Sequence, residues 1–334
     1  MNEKQKISRH QFLQIIAVSG AAGVAFKFGF ESLTADQVIS ETRLLMGTIV
    51  NLTLVGPDPR SSAMAVNACL DRMTELEAVL SRFKPDSQLS RLNQVGMVSD
   101  IHPAFLTLVK QSLELSRLTD GAFDITVKPL LDLYQATPGV LPTSRQIEQA
   151  LEIVDYGLLD VSDDRIAFLH PGMSITLDGI AKGFIVDEGV TVLKGLGFEN
   201  VMVEAGGDLM GLGQKATRSP WKIGVQAPRS DMGSLMATFD VQNQAVATSG
   251  DYMQSFTPDF VNHHIIDPRI GHSSPELASA SVTALTVAMA DGLATAVMVM
   301  GRTGLGLIEQ MAGYEAFAIT KELTELKTSG FQIF

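Results

Sequence analysis

Asp291 and Thr295 are two oxygen-bearing side chains in residues 281–301, a stretch otherwise dominated by Ala, Val, Leu and Met. This composition predicts a helix, and because the stretch is apolar almost all round, we expect the helix to be buried. Residues four apart lie on one helix face, so the carboxylate and the hydroxyl would lie side by side. A buried carboxylate is costly unless it is paired or binds a metal. A carboxylate with a hydroxyl is a hard-oxygen pair of the kind that Mg²⁺ accepts.

Two other interpretations of this stretch compete with a metal site. A membrane span is disfavoured, because a central Asp costs roughly 2.5–3.5 kcal/mol on insertion scales and the uninterrupted apolar segments are short. A core helix whose Asp291 caps a neighbouring loop explains the pattern as well and stays open.

A second candidate, Asp178-Gly-Ile-Ala-Lys-Gly183, joins a predicted strand at Ala167–Leu177 to a predicted helix at Phe184–Leu196. Backbone N–H groups at such a junction, together with Lys182, could hold a phosphate. A plain turn with a surface lysine is the competing interpretation. The motif fits neither the P-loop pattern nor a GxGxxG fingerprint.

Polar side chains also cluster in two predicted loops. His264 could act as a base or bind a phosphate, whereas Asp267, which precedes a proline, could also simply begin a turn. We expect His263 to be solvated. The segment Thr248-Ser-Gly-Asp-Tyr252 offers hydroxyls and a carboxylate, although a capped helix start would look the same. No GxSxG elbow is present, which disfavours a hydrolase-type serine nucleophile.

The elements that would position these residues mix strands and helices without regular βαβ alternation. This predicts an α+β fold of mixed sheets with packed helices. Hydrophobic periodicity predicts helices at Ser61–Phe83 and Pro103–Leu118. Alternation predicts strands at Thr48–Val55, Val201–Glu204, Trp221–Ala227, Met236–Val241, Ala245–Tyr252, Tyr314–Thr320 and Gly330–Phe334. Residues 135–150, which contain Pro138 and Pro142, are predicted to be a linker or insertion before another helix.

Composition excludes several classes of protein. Apolar residues make up 46% of the 334, enough for a large core. The formal net charge of −12 leaves no basic excess to neutralise phosphates, so we expect no nucleic-acid partner. The single cysteine, Cys69, excludes an intramolecular disulfide and a cysteine-based zinc site.

Residues 1–35 have the pattern of an export signal or an N-terminal anchor. Lys4, Lys6 and Arg9 precede an apolar run from residue 12 to residue 26. The segment Ser8-Arg-His-Gln-Phe-Leu13 resembles the twin-arginine export motif, with a histidine in place of the second arginine. We therefore expect the protein in the periplasm or on the outer face of the cytoplasmic membrane. Residues 36–334 would form a single catalytic domain.

Taken together and in chain order, the motifs resemble those of the FAD:protein FMN transferases, the ApbE-like flavin transferases, over about residues 40 to 320. They are Met46-Gly-Thr48, Ser81-Arg-Phe-Lys-Pro85, Gly121-Ala-Phe-Asp124, Ile180-Ala-Lys-Gly183, Ala205-Gly-Gly-Asp208, Thr248-Ser-Gly-Asp-Tyr252, His264-Ile-Ile-Asp-Pro268 and Ala290-Asp-Gly-Leu-Ala-Thr295.

The resemblance implies a Mg²⁺-dependent enzyme that cleaves FAD at its pyrophosphate. FMN is placed through a phosphoester bond on a Thr or Ser of an exported acceptor protein, and AMP leaves. By position, Asp291, Thr295 and the backbone carbonyl of Gly179 would be metal ligands. The FAD contacts would be Met46, Phe83, Ala122, Phe123, Asp124, Lys182 and the chain around Ile266.

One departure concerns the adenine-side contact. Many members of the family carry an Asp where this chain has Thr176, and Asp178, two residues further on, is the candidate replacement. The acceptor hydroxyl is a weak nucleophile and needs activation. His264, Asp267 and Asp291 are the candidates for that base, with His264 first.

Two further functions stay open at this point. One is a Mg²⁺-dependent FAD pyrophosphatase, in which water replaces the acceptor hydroxyl at the same metal site. The other is a non-catalytic exported flavin-binding protein. The presence of Asp291, Thr295 and Lys182 argues against mere binding, which does not require a metal at the pyrophosphate.

Overall fold

A computed structural model describes residues 37–137, 139–229 and 235–333. The predicted export segment 1–35, Pro138 of the predicted linker and the final Phe334 lie outside these residues. The α-helices are α1 (Pro59–Leu80), α2 (Gln88–Val95), α3 (Pro103–Leu118), α4 (Lys128–Gln135), α5 (Ser144–Leu151), α6 (Ala181–Gly195), α7 (Val287–Met300) and α8 (Arg302–Ile308). Within the described part of the chain, none of the helices has both the length and the apolar character needed to cross a membrane.

The strands are β1 (Gln37–Leu45), β2 (Thr48–Gly56), β3 (Met97–Ser99), β4 (Leu159–Val161), β5 (Arg165–Phe168), β6 (Val201–Ala205), β7 (Asp208–Leu212), β8 (Trp221–Gln226), β9 (Leu235–Val241), β10 (Gln244–Gly250), β11 (Ile266–Asp267), β12 (His272–Ser273), β13 (Leu277–Ala284), β14 (Glu315–Thr320) and β15 (Glu325–Lys327). Short 3₁₀ turns cover Ile125–Val127 and Tyr156–Leu158.

The centre of the molecule is an eight-stranded sheet in the order β1-β2-β6-β7-β10-β13-β14-β15. Every neighbouring pair in it is antiparallel. Smaller sheets join β3-β5-β4, β8-β9 and β11-β12. The central sheet is antiparallel throughout and the helices pack against it, which confirms the predicted α+β class.

The two faces of the sheet belong to different hydrophobic clusters. Ala245 and Ala247 of β10 pack in the main core with helices α1, α6 and α7, whereas Val246 between them packs with the β8-β9 hairpin. Successive side chains of a strand point to opposite faces, so a single strand serves both clusters. The helices that carry the site lie on the first of these faces.

Close helix packing on that face depends on glycine. A Cβ built on Gly183 of α6 would lie 2.4 Å from the Val287 carbonyl oxygen of α7, and one on Gly189 would lie 2.9 Å from the Cys69 sulfur of α1. Any side chain at Gly183 would force the two helices apart, because the backbone atoms of Val287 cannot rotate away as a side chain can.

Several sequence predictions are wrong in their extent. The apolar stretch 281–301 is not one helix, because residues up to Ala284 belong to β13, which pairs on both sides with β10 and β14. The predicted strand Ala167–Leu177 is reduced to the end of β5, and the C-terminal strand is β15 instead of Gly330–Phe334. At residues 281–284, backbone pairing with strands from other parts of the chain overrides the local helical pattern.

Candidate active site

A cavity of about 190 Å³ lies between the N-terminal part of α6, the middle of α7 and the loops that follow α3 and β10. The predicted FAD contacts that line it are Ala122, Phe123, Asp124, Asp178, Lys182 and Ile266. The predicted metal ligands and the first candidate base also line it, namely Gly179, Asp291, Thr295 and His264. The fold therefore brings together residues from segments that are far apart in sequence.

The three predicted metal ligands meet at one corner of the cavity. The Gly179 backbone lies so close to α7 that a Cβ there would stand 3.1 Å from Thr295 Oγ1. Asp291 is buried one helical turn before Thr295. Burial, and after it the negative charge of Asp208, raises the pKa of the Asp291 carboxyl well above its ordinary value.

These residues fit a hard divalent cation. Among the described residues, the one hydrogen-bond donor to Asp291 is the backbone N–H of Gly183, 3.2 Å from Oδ2. A buried carboxylate with so few partners is costly as an anion unless a positive charge approaches it. No group of three or more His, Cys, Asp or Glu side chains stands ready for a metal in the described part of the chain. Ligation here would combine one carboxylate with a hydroxyl and a backbone carbonyl, all of them oxygen ligands.

Lys182 is not the surface lysine of the competing interpretation. Its side chain is 27% exposed, and its ammonium pairs with the carboxylate of Asp208, which is 1% exposed. Burial alone would lower the pKa of Lys182, but the charges of Asp208 and Asp291 outweigh it and raise that pKa. The lysine therefore remains a cation at the cavity wall beside Asp291.

The His264 ring is oriented by the backbone of Gln254. Its Nδ1 lies 3.1 Å from the Gln254 carbonyl oxygen. A carbonyl only accepts, so Nδ1 carries the proton and Nε2 keeps its lone pair. Burial lowers the pKa of His264. At neutral pH the ring is therefore an uncharged imidazole that can accept a proton at Nε2.

The neighbouring His263 corrects a sequence prediction. We expected it to be solvated, but it is fully buried, with Nε2 3.1 Å from the Ser274 carbonyl oxygen. Burial lowers the pKa of His263 to about 4. Its backbone N–H donates to the Ser273 hydroxyl of β12 and its carbonyl accepts from that hydroxyl, contacts that the sequence pattern His-His did not reveal.

Three predicted site residues are not among those that line the cavity. Met46 lies in the β1–β2 turn with a left-handed φ of 55°. Phe83 is 75% exposed, with the Arg82 guanidinium carbon 4.2 Å from its ring centre. Asp267 forms an ion pair with Arg269 at 2.7 Å and accepts the Arg269 N–H at 2.9 Å. These contacts agree with the interpretation of Asp267 as a residue that begins a turn, and among the described residues it has no hydrogen bond to His264.

Asp124 combines a structural role with its place at the cavity. Its carboxylate accepts hydrogen bonds from the N–H and the hydroxyl of Thr126 and from the N–H of Tyr156. Burial raises the pKa of Asp124 to about 6 against these hydrogen bonds. A second cavity, of about 320 Å³, shares Asp124 and Pro268 with the first.

Sequence reasoning missed several residues that complete the site. Arg82 lines the cavity and pairs with Asp178 at 2.6 Å. The Ser249 hydroxyl lies 3.3 Å from Thr295 Oγ1. Asp208 holds Lys182 from β7. Each of these three lies within a quoted motif, but a motif does not show which member pairs with a distant residue.

An α+β protein with an antiparallel central sheet, a buried hard-oxygen corner and an adjacent lysine and histidine has the parts of an enzyme that acts on a phosphate-containing ligand. The chain belongs to the ApbE family, whose family model matches residues 46–318.

Relatives and solved structures agree with this assignment. An FAD:protein FMN transferase from Vibrio cholerae is 34% identical over 265 residues, covering 77% of this chain and 79% of that protein. One from Haemophilus influenzae is 30% identical over 301 residues, covering 85% and 87%.

Among solved structures, the ApbE protein of Thermotoga maritima superposes with a TM-score of 0.79 at 29% identity, covering 88% of this chain and 97% of that one. The flavin transferase ApbE of Vibrio cholerae gives a TM-score of 0.77 at 30% identity, covering 89% and 98%. The similarity therefore extends over nearly the whole described fold.

Proposed function

We propose that this protein is an FAD:protein FMN transferase that moves FMN from FAD to a Thr or Ser hydroxyl of an acceptor protein and releases AMP. The observation that carries the proposal is the meeting of Gly179, Asp291 and Thr295 beside the charged Lys182 in one cavity. The names of the Vibrio cholerae and Haemophilus influenzae relatives support the same activity.

The binding of FAD is assigned to the cavity and its rim. Phe123, Ala122 and Ile266 supply apolar surface for a flat ring. A cavity of 190 Å³ is smaller than the roughly 300–1,000 Å³ of clefts that enclose a whole drug-sized ligand. Part of the dinucleotide therefore extends past the mouth, where Arg82 and Asp178 lie.

The pyrophosphate is assigned to the corner formed by α6 and α7. Lys182 in the first turn of α6 supplies a fixed positive charge that Asp208 holds in place. Asp291, Thr295 and the Gly179 carbonyl would hold Mg²⁺, which when bound supplies charge that neutralises the pyrophosphate. Phosphoryl transfer depends mainly on such positioning and charge neutralisation.

His264 is assigned the role of general base. The acceptor oxygen forms a bond to the FMN phosphorus, the bond from that phosphorus to the bridging oxygen breaks, and AMP leaves with the bonding electrons. Nε2 of His264 takes the proton of the acceptor hydroxyl, because Nδ1 is already protonated and donates to Gln254.

The test of this function compares candidate exported proteins of the native host after incubation with enzyme, FAD and Mg²⁺. Mass spectrometry that finds FMN on a Thr or Ser, with AMP in equal amount, supports the transferase. FMN and AMP formed without a protein adduct would instead mean a pyrophosphatase. Unchanged FAD after long incubation would mean a binding protein without catalysis. The Asp291→Asn variant serves as the control, because it keeps the shape of the side chain without its charge.

We also propose that the protein is exported and acts in the periplasm or on the outer face of the cytoplasmic membrane. The basic residues and apolar run in 1–35 support this. The N-terminus of the protein purified from its native host should lie near Asp36, or the protein should be found on the outer face of the cytoplasmic membrane. Full-length protein in the cytoplasm would contradict export, and its acceptors would then have to be sought there.

A further inference from the structure

Asp187 of α6 forms hydrogen bonds with the beginning of α7. Its Oδ1 accepts the N–H of Val287 at 2.8 Å, and its Oδ2 accepts the N–H of Ala288 at 2.9 Å. These two donors belong to the first turn of α7, where backbone N–H groups have no partner within the helix. Both carboxylate oxygens are therefore used to hold the end of one helix to the side of another.

A second tie between the same helices lies one turn earlier on α6. Gly183, four residues before Asp187, donates its N–H to Asp291 at 3.2 Å, and its missing side chain lets the Val287 backbone come into contact. Residues four apart share a helix face. Asp187 and Gly183 together therefore fix the position of α7 along α6 and the distance between the two helices.

The two helices carry different parts of the proposed cation site. Gly179 lies just before the start of α6, whereas Asp291 and Thr295 lie on α7. We propose that Asp187 is a positioning residue for cation binding, which keeps the Gly179 carbonyl at the right distance from the Asp291 and Thr295 oxygens. This inference rests on the proposed function, since it takes the cation site from it.

Thr286 offers a matched comparison at the same helix end. Its hydroxyl accepts the Met289 N–H at 3.3 Å, so it also caps α7. That bond lies within the segment that enters α7 and makes no tie to α6. The Thr286→Ala variant therefore removes a cap without loosening the two helices from each other.

The experiment measures Mn²⁺ binding to the protein by titration calorimetry or by electron paramagnetic resonance, with melting temperature as a check on folding. We expect Asp187→Asn to weaken Mn²⁺ binding at least about tenfold, the size of effect produced by removing groups that orient metal ligands. Asp187→Ala should weaken it further, and Thr286→Ala should bind Mn²⁺ as the unaltered protein does while melting at a lower temperature. FAD binding measured in EDTA should be the same in all of them.

Two results would overturn the inference and leave the proposed function standing. One is unchanged Mn²⁺ affinity in Asp187→Asn when Asp291→Asn has lost it. The other is an equal loss of Mn²⁺ affinity in Thr286→Ala and Asp187→Asn, which would mean that the effect comes from the loss of a helix cap. Mn²⁺ binding that is absent from the unaltered protein, or unaffected by Asp291→Asn, would overturn both this inference and the cation site. Should Asp187→Ala fail to fold, Asp187→Asn, which keeps one acceptor oxygen, decides the outcome.

Discussion

The backbone N–H of Gly183 donates to the carboxylate of Asp291 across the contact between α6 and α7, with 3.2 Å between the nitrogen and Oδ2. The donor belongs to the motif that we interpreted as a phosphate site, and the acceptor is the carboxylate that we interpreted as a metal ligand. A single hydrogen bond thus joins the two motifs on which the proposed chemistry depends. Substitutions at its two ends should have different consequences.

Replacing Asp291 should abolish FMN transfer without unfolding the protein. The buried charge is unfavourable by several kcal/mol before compensation, and Ala improves helix propensity by up to about 0.7 kcal/mol. Against this, Ala leaves the Gly183 N–H unpaired, at about 1–3 kcal/mol. We therefore expect the metal-free Asp291→Ala protein to melt at the same temperature or slightly higher.

Asp291→Asn should be the more stable of the two variants, because its amide oxygen still accepts from Gly183. The measurement pairs the melting temperature in EDTA with the rate of FMN transfer at saturating FAD and Mg²⁺. A marked fall in melting temperature with transfer largely retained would identify Asp291 as a structural residue.

Replacing Gly183 should destabilise the protein through crowding. A Cβ at this position would stand 2.4 Å from the Val287 carbonyl oxygen, and overpacking of this kind costs about 1–3 kcal/mol or more. Gly195, the last residue of the same helix, has nothing within 4 Å of the built Cβ. Urea denaturation should show Gly183→Ala less stable, while Gly195→Ala is unchanged or gains less than about 1 kcal/mol. Equal stabilities for the two variants would mean that α6 and α7 are not packed this closely.

Replacing His264 should slow the chemical step and spare binding. A general base typically contributes about 10²–10⁴-fold to the rate, so His264→Gln should lower kcat by that order with little change in the affinity for FAD. For the unaltered enzyme, the rate should rise with pH through a pKa below the ordinary histidine value, because burial lowers it. Transfer rates and FAD fluorescence titrations from pH 5 to 8 test both points. If the substitution leaves kcat unchanged, another group acts as the general base.

Ionisation of Asp124 should lower the free energy of unfolding as the pH rises from about 4 to about 6. Burial raises its pKa from 3.8 to about 6 in the folded protein, so the folded state binds the proton more tightly than the unfolded chain does. The stabilisation is fully present below pH 4 and is lost as the pH rises past the pKa of Asp124 in the folded protein. One pKa unit corresponds to about 1.4 kcal/mol, so the loss is at most about 3 kcal/mol.

The comparison that isolates this effect is between the unaltered protein and Asp124→Asn, which does not titrate. The free energy of unfolding of the unaltered protein, minus that of the variant, should fall between pH 4 and pH 6.5. A difference that stays constant over this range would show that Asp124 titrates normally in the folded state.

Local sequence was sufficient to predict several elements, and the resemblance to the flavin transferases implied a common site for Phe123, Lys182 and Asp291, which all line the cavity. The helix Pro103–Leu118 has the predicted bounds, since its periodicity, its proline start and its Thr-Asp-Gly ending are all local signals. The motifs that carry Phe123, Lys182 and Asp291 each lie where a loop meets a helix or within one helix turn. Residues of that kind are positioned by the few residues around them, which a sequence displays directly.

Tertiary structure alone decided which of these residues face one another. Lys182 and Asp208 are separated by 26 residues, and Asp187 and Val287 by 100, yet each pair is joined by a hydrogen bond. Residues 281–284 form a central strand because β10 and β14 lie on either side to pair with them. Such contacts depend on how the sheet and the helices pack against one another. That packing is stabilised by the burial of apolar surface, which several segments of the chain contribute at once. No single stretch of the sequence contains both sides of such a contact.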